Sequence, residues 1–427
     1  MPLVTNSSRP DHRLPPRDSQ PQRDSQMVQC PGDGMWITQA VHHGRQQAGY
    51  PACEHCEYCD QQHVGATRSR SIQLVETGIR GLAYGAFSLS VMERFGNAMA
   101  VFIDELARQD PQHKAGRFIV GHDGRASTPS MTMALLRGLQ NFGAQVEMVG
   151  NCDRALLRHS LQQSQQNWSI WVTGEGQGPG ATGLDILDAR GAFLPFSQWE
   201  QILSFSRAAQ LSRPERHSQV PVQSSYVESR HQSRMALYHA LRPLKLVVRS
   251  DSPLATQALQ LLSEELRWDL IWLQRSSDSS AMSQTIRQQK CDLGLHIEES
   301  GERLIGYNEA GQCIETQALC EGILRMLTSK YGEQSRLCVG AAANSGMQWQ
   351  TVIDEQQLVQ QLKGTRNAVG MGKQGRLWFV HQNHVECDAL LTLGYVMQAM
   401  SQSSLPASYI FEQTTDATTD SESHLVA

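Results

Sequence analysis

Apolar residues recur along this chain in two rhythms. Between Ser88 and Gln109, Met92, Phe95, Met99, Phe102, Ile103 and Leu106 fall three or four apart, which predicts a helix with one face to bury. The short apolar run Arg117 to Val120 predicts a strand. Ser127, Thr128 and Pro129 then predict a helix start, a capping hydroxyl followed by proline, for a helix reaching Phe142. A strand at Gln145 to Val149, a helix near Leu156 and a strand at Ser169 to Thr173 follow. Residues 197 to 235 are rich in Ser, Gln and Arg and read as a linker. The alternation then restarts: strand Lys245 to Arg249, helix Leu254 to Leu266, strand Asp269 to Leu273, helix Met282 to Gln289, strand Asp292 to Ile297 and helix Thr316 to Lys330. A third unit opens at Leu337, holds a strand at Leu377 to Val380 and closes with a helix near Ala389 to Met400. Strands alternating with helices at this spacing imply an α/β protein of three tandem α/β/α units with mostly parallel, mixed sheets.

The ends break this pattern. The first 34 residues are rich in Pro, Arg, Asp, Gln and Ser and offer little apolar surface to offset the entropy of ordering them, so disorder is expected there. Met27 and Met35 precede more ordinary sequence, which makes a downstream start codon a hypothesis that N-terminal sequencing would settle. A Cys/His-bearing extension spans 35–71, and the expected units are 72–212, 222–332 and 333–402, with a loose polar tail at 403–427.

Composition narrows the function classes. The 427 residues suffice for several packed cores, and 40% apolar with 19% charged residues is a globular composition. A net charge of -5, from 37 basic and 42 acidic side chains, gives no field for nucleic acid or anionic lipid. No stretch reaches the ~20 apolar residues of a membrane span, and the N-terminus is not built like a signal peptide. The expected compartment is the cytoplasm, where most of the ten cysteines read as buried thiols.

Four residues stand apart. Cys53, Cys56, Cys59 and His63 form a CxxCxxCxxxH run whose thiolates and imidazole suit zinc or an iron-sulfur cluster, with Cys30 as a further ligand. The alternative is a set of reduced thiols in a flexible extension. His122 and His296 lie beside expected strands and read as packed or hydrogen-bonded. Trp168, Trp171, Trp268 and Trp272 read as core.

Three runs carry a resemblance: Thr77-Gly78-Ile79-Arg80-Gly81; Val120-Gly121-His122-Asp123-Gly124-Arg125 with Ser127-Thr128-Pro129; and Thr173 about 50 residues later. In order and spacing they resemble the first domain of the α-D-phosphohexomutases, the phosphomannomutases and phosphoglucomutases, whose runs read GIRG, VGRDGR with SSP, and TASHNP. The resemblance covers Ile72 to Met400. It implies a cleft in which a phosphoserine of the TASHNP loop transfers its phosphoryl group, a DGDADR loop holds Mg²⁺, a GEESGH-like loop reads the sugar and a fourth domain clasps the phosphate.

Residue by residue, the chemistry implied by the family is altered. Glu175 stands at the nucleophilic Ser and Asp185 at the usual Lys. Glu298, Ser300 and Glu302 stand at the three metal-binding Asp positions, with Arg303 kept. A carboxylate cannot replace a hydroxyl that must form a stable phosphoester and return it. It can mimic phosphoserine's charge or ligate a hard cation, so Glu175, Glu298 and Glu302 are expected to form at most a weakened Mg²⁺ site. General priors make Glu175 a solvated loop carboxylate. Lys373, Gly375 and Leu377 replace the sugar-reading Glu, Ser and His, and no RPSGTEP-like loop occurs, so a relative without the fourth domain is expected. Arg80, Arg125 and Arg303 are candidate phosphate ligands, against a purely structural role in which Asp123 and Arg125 tie loops and Gly78 and Gly81 permit a turn. The preferred expectation is a mutase relative without mutase activity, binding a hexose phosphate or phosphate and serving a regulatory role in carbohydrate or polysaccharide metabolism. The alternatives are an active, divergent phosphomannomutase or phosphoglucomutase, and a metal-binding interaction scaffold.

Overall fold

The structure, a computed structural model, describes residues 27–29, 36–38, 45, 72–109, 116–178, 180–207, 225–238, 241–266, 268–340, 347–365 and 368–411. The chain divides into Met1–Thr67 and Arg68–Ala427. In the first unit, β1 (Met27–Gln29) pairs antiparallel with β2 (Trp36–Thr38), so β1 falls inside the stretch expected to lack order. Cys30, Cys53, Cys56, Cys59 and His63 lie outside the described residues.

The second unit holds three sheets. The first is built from β3 (Gln73–Val75), β4 (Gly78–Leu82), α1 (Leu89–Gln109), β5 (Arg117–His122), α2 (Thr128–Asn141), β6 (Gln145–Asn151), α3 (Arg154–Gln163), β7 (Trp168–Val172), β8 (Ala181–Leu187) and α4 (Phe196–Arg207), with strand order β3-β4-β8-β7-β5-β6. After α5 (Ser225–Met235), the second comprises β9 (Lys245–Ser250), α6 (Pro253–Leu266), β10 (Asp269–Trp272), α7 (Ser279–Gln289), β11 (Leu293–Ile297), β12 (Leu304–Tyr307), β13 (Cys313–Ile314) and α8 (Thr316–Tyr331), in order β10-β9-β11-β12-β13. The third comprises β14 (Ser335–Val339), β15 (Gln350–Val352), α9 (Glu355–Lys363), β16 (Ala368–Met371), β17 (Leu377–His381), β18 (His384–Glu386), α10 (Ala389–Ser401) and the short α11 (Ala407–Ile410), in order β15-β14-β16-β17-β18.

All three share one plan: three parallel strands, then antiparallel strands added on one side. The fold is thus α/β with mixed sheets, as expected. The antiparallel halves come from hairpins such as β11–β12 and β17–β18, which an alternation of strands and helices does not reveal. Gly78 sits inside β4 rather than at a turn; a Cβ there would collide with the Leu184 carbonyl of β8, so glycine is needed for close strand approach.

The first sheet buries its own core, with Phe95, Met99 and Phe102 of α1 against Leu135 of α2 and Phe118, Ile170 and Ile186 of the strands. The second and third sheets share a core in which Leu246 and Leu295 meet Val369 and Phe379 through α8 and α10. Two helices lie where a linker was expected. In α4 the buried residues are Trp199 and Ile202; in α5 they are Tyr226, Arg230 and Arg234, one per turn. A buried helix face made of arginine does not register as an apolar stripe. Trp272, expected in the core, is exposed, whereas Trp168, Trp171 and Trp268 are buried. Among the described residues no helix is long and apolar enough to cross a membrane.

Candidate functional site

Four short segments meet where the second unit is most polar: the 173–178 loop after β7, Asp185 of β8, the 298–303 turn between β11 and β12, and the N-terminus of α3. The α3 helix begins with Asp153, whose carboxylate caps it by accepting from Leu156 N at 2.8 Å. Arg154 follows at the first helical position, where a cation opposes the helix dipole. Arg158 lies one turn on. Both are almost fully buried, and a like-charged pair at this spacing needs anions to hold it.

The anions are on three other segments. Arg154 donates through Nη1 to Asp185 Oδ2 at 2.7 Å and to Glu175, and through Nε to Glu302 Oε2 at 2.9 Å, while its Nη2 lies 2.8 Å from the same oxygen. Arg158 Nη2 donates to the other Glu302 oxygen at 2.7 Å. Arg80 Nη1 donates to Asp185 Oδ1 at 2.6 Å, and its Nη2 lies 3.7 Å from the Glu175 carboxylate. Three guanidinium groups therefore face three carboxylates. Aromatic rings cover them: Arg154 lies 5.3 Å from the centre of Trp171 and 5.0 Å from that of Phe193, and Arg158 lies 4.5 Å from that of Trp378.

This packing sets the acidities. Burial works to raise the Glu302 carboxyl, but Arg154 and Arg158 outweigh it and hold it at about 2. Burial also acts to lower the Arg154 guanidinium, yet Glu175, Glu302 and Asp185 keep it well above its ordinary value and charged. Glu175 moves the other way. Burial raises it above the usual carboxylate range, with Asp185 and Glu302 adding to the effect and Arg154 and Arg80 opposing it.

A second lattice adjoins the first. Arg230 of α5 donates to Asp153 Oδ1 at 3.0 Å and, by two nitrogens, to Asp388 at 2.8 and 3.0 Å; Arg234 donates to Asp388 at 2.9 Å and to Glu386. Burial would raise Asp388, but Arg230 and Arg234 hold it far below the usual range. Between the lattices sits the 298–302 turn. Its Ser300 carbonyl accepts from Ala155 N at 3.1 Å and its Gly301 carbonyl from Ala389 N at 2.8 Å, so it is pinned to the starts of α3 and α10. Gly301 adopts φ +69°, and a Cβ there would come within 2.5 Å of Asp153 Oδ2.

What remains open is a cavity of about 410 Å³ lined by Glu76, Arg80, Glu175, Glu298, Arg303 and Arg376, among others. Arg303 Nη1 donates to Glu298 at 2.7 Å, and Arg376 Nε donates to Glu355 at 3.0 Å. Arg303 Nε and Arg376 Nη2 are buried N–H groups that make no hydrogen bond, although Arg376 Nη2 lies 3.5 Å from the Glu76 carboxylate. Arg376 was not singled out in the sequence; its signal was its place in the loop that should read the sugar.

Residues 72–212 match the phosphoglucomutase/phosphomannomutase alpha/beta/alpha domain I. Over that stretch the chain is similar to the first domain of the phosphoglucomutases and phosphomannomutases. A phosphoglucosamine mutase of Gloeothece citriformis is 20% identical over 334 residues, covering 70% of this chain and 67% of the relative. A phosphoglucomutase/phosphomannomutase family protein from Burkholderia thailandensis shares the fold at TM-score 0.64 and 19% identity over 78% of each chain. Parafusin, a phosphoglucomutase from Paramecium solved in an open form, does so at TM-score 0.58 and 12% identity, over 80% of this chain and 75% of its own.

Set against the phosphohexomutase pattern, the structure brings Glu175, Arg80 and the 298–302 turn to one cleft. Glu175 is not a solvated loop carboxylate: its side chain is only 18% exposed and is held by Arg154. Arg125 is spent on Asp123 at 2.5 Å and Glu299 at 2.6 Å, while Asp123 also accepts from Thr173 Oγ1 and Gly174 N and so fixes the 173–174 loop. His122 and His296 are hydrogen-bonded, to the Asp123 carbonyl and to Asp251. Lys373 and Gly375 form a turn before β17, and Leu377 is buried.

The Mg²⁺ implied by the family does not fit this donor set. Glu298 is paired with Arg303, Ser300 is neutral with its carbonyl given to α3, and Glu302 is enclosed by Arg154 and Arg158. Glu175 and Glu302 do approach one point, but Arg154 fills it. Among the described residues no three of His, Cys, Asp or Glu gather as a metal site. The residue that decides this, Arg154, lies outside every family motif. Its only sequence signal was a cation following the capping Asp153.

Proposed function

We propose that this chain is a phosphohexomutase-fold protein that binds a hexose phosphate without interconverting its 1- and 6-phosphates. One observation carries the reading: the side chain at the nucleophile position is a carboxylate, Glu175, tied to Arg154 and Arg80, so no hydroxyl stands ready to accept phosphorus. The open mouth supports the binding half. Arg303 and Arg376 both line it, Arg303 Nε makes no hydrogen bond and Arg376 Nη2 only a 3.5 Å ion pair with Glu76, and guanidinium forks suit phosphate oxygens. Arg80 and Arg125, engaged by Asp185, Asp123 and Glu299, serve the frame in this reading. A regulatory role in carbohydrate or polysaccharide metabolism would follow from binding without turnover.

The test is a thermal-shift panel of hexose phosphates with and without Mg²⁺. A ligand bound only by the native state raises Tm, and the expected rise is at least about 2 °C at a hundredfold excess over Kd. It should not need Mg²⁺ and should vanish in Arg303→Ala. A panel in which no hexose phosphate moves Tm refutes the binding half of this reading.

A further inference from the structure

We propose that the Arg154 guanidinium is this cleft's permanent cation, built into the chain in place of a divalent metal. The inference goes beyond the functional reading, because it holds whether or not a sugar phosphate binds at the mouth. Three facts converge. Arg154 meets carboxylates from three separate segments, Glu175, Asp185 and Glu302, which no other described arginine does. Two of these are residues where the family places its phosphate carrier and its last metal-binding Asp. The aromatic faces of Trp171 and Phe193 cover one side of the group, and Arg154 is almost fully buried, which leaves little room for the water that Mg²⁺ retains in its shell.

Charge balance explains why the replacement holds. Arg80, Arg154 and Arg158 match Glu175, Asp185 and Glu302 one for one, so the buried cluster is neutral without any ion. Adding Mg²⁺ would place two uncompensated charges among three guanidinium groups. Removing Arg154 would do the reverse. It would leave three carboxylates around a vacated space against two arginines, a donor set of the kind hard cations choose.

The experiment titrates Mn²⁺ into the full chain and into Arg154→Ala and Arg154→Lys, reading bound metal by electron paramagnetic resonance and Tm in Mg²⁺, with no sugar present. The wild type and Arg154→Lys should bind no stoichiometric Mn²⁺ and show the same Tm with or without Mg²⁺. Arg154→Ala should bind one Mn²⁺ that Mg²⁺ displaces, and Mg²⁺ should raise its Tm by at least about 2 °C. Folding of Arg154→Ala only when Mg²⁺ is present supports the same conclusion. A wild-type protein that binds one Mn²⁺, lost in Glu302→Gln, overturns the proposal, and so does a folded Arg154→Ala indifferent to Mg²⁺. Should Arg154→Ala fail to fold in either buffer, the wild-type titration decides alone. Sugar binding is read in a separate assay, so failure of one proposal leaves the other standing.

Discussion

Glu302 and Glu175 sit on the same guanidinium and titrate in opposite directions, and this can be read in stability. The folded Glu302 carboxyl lies at about 2 against 4.5 in an ordinary setting, so its contribution is complete above pH 4.5 and is lost as pH falls towards 2. The loss is on the order of 3 kcal/mol for this one group. Denaturant unfolding measured from pH 5 to pH 2 should therefore fall less steeply for Glu302→Gln than for the wild type. At neutral pH the same substitution should cost roughly 3 to 5 kcal/mol, because it strips Arg154 and Arg158 of a buried partner. Glu175 is raised by burial, so folding disfavours its ionisation; Glu175→Gln keeps an acceptor for Arg154 and should cost less than about 1 kcal/mol. At this scale the motif residues were legible in the sequence, and Arg154 was not. A single Arg in Cys152-Asp153-Arg154-Ala155 falls in no motif, and only the fold brings Asp185, thirty-one positions away, against it.

The helices that mattered most to the site were the hardest to read. Hydrophobic spacing located α1, α2, α6, α8 and α10 to within about three residues, since each buries an apolar face. In α5 the buried face is Tyr226, Arg230 and Arg234, whose partners Asp153, Glu386 and Asp388 are distant in sequence. The helix is held by charge. Asp388→Asn tests this, because Asn still caps α10 while the anion shared by Arg230 and Arg234 is gone. Amide exchange across Ser225–Met235 should speed up by well over tenfold with α10 unchanged. Unaltered protection of α5 would show that apolar contacts hold it instead.

Across the molecule, the turn that a phosphohexomutase would give to metal serves here as a junction. Ser300 and Gly301 accept backbone hydrogen bonds from α3 and α10, and Ser252 at the start of α6 reaches Asp153 at 2.8 Å. The Ser300–Gly301 turn thus ties the starts of α3 and α10 together beside Asp153, which Ser252 also reaches. Gly301→Ala combines a disfavoured φ with a Cβ against Asp153, and a loss of at least about 2 kcal/mol, read as a lower denaturation midpoint, is expected. The three-sheet order was legible because strands and helices alternate; in the cleft, the carboxylates at positions 175, 298 and 302 were legible in the sequence and the arginine between two of them was not. The most direct measurement is ³¹P NMR of glucose, mannose and glucosamine 1-phosphates incubated with the purified chain and Mg²⁺. The expected spectrum shows unchanged substrate, because on the proposed reading position 175 carries a carboxylate in place of a hydroxyl nucleophile and Arg154 occupies the place of the ion. Steady appearance of the 6-phosphate, abolished by Glu175→Ala, would contradict this.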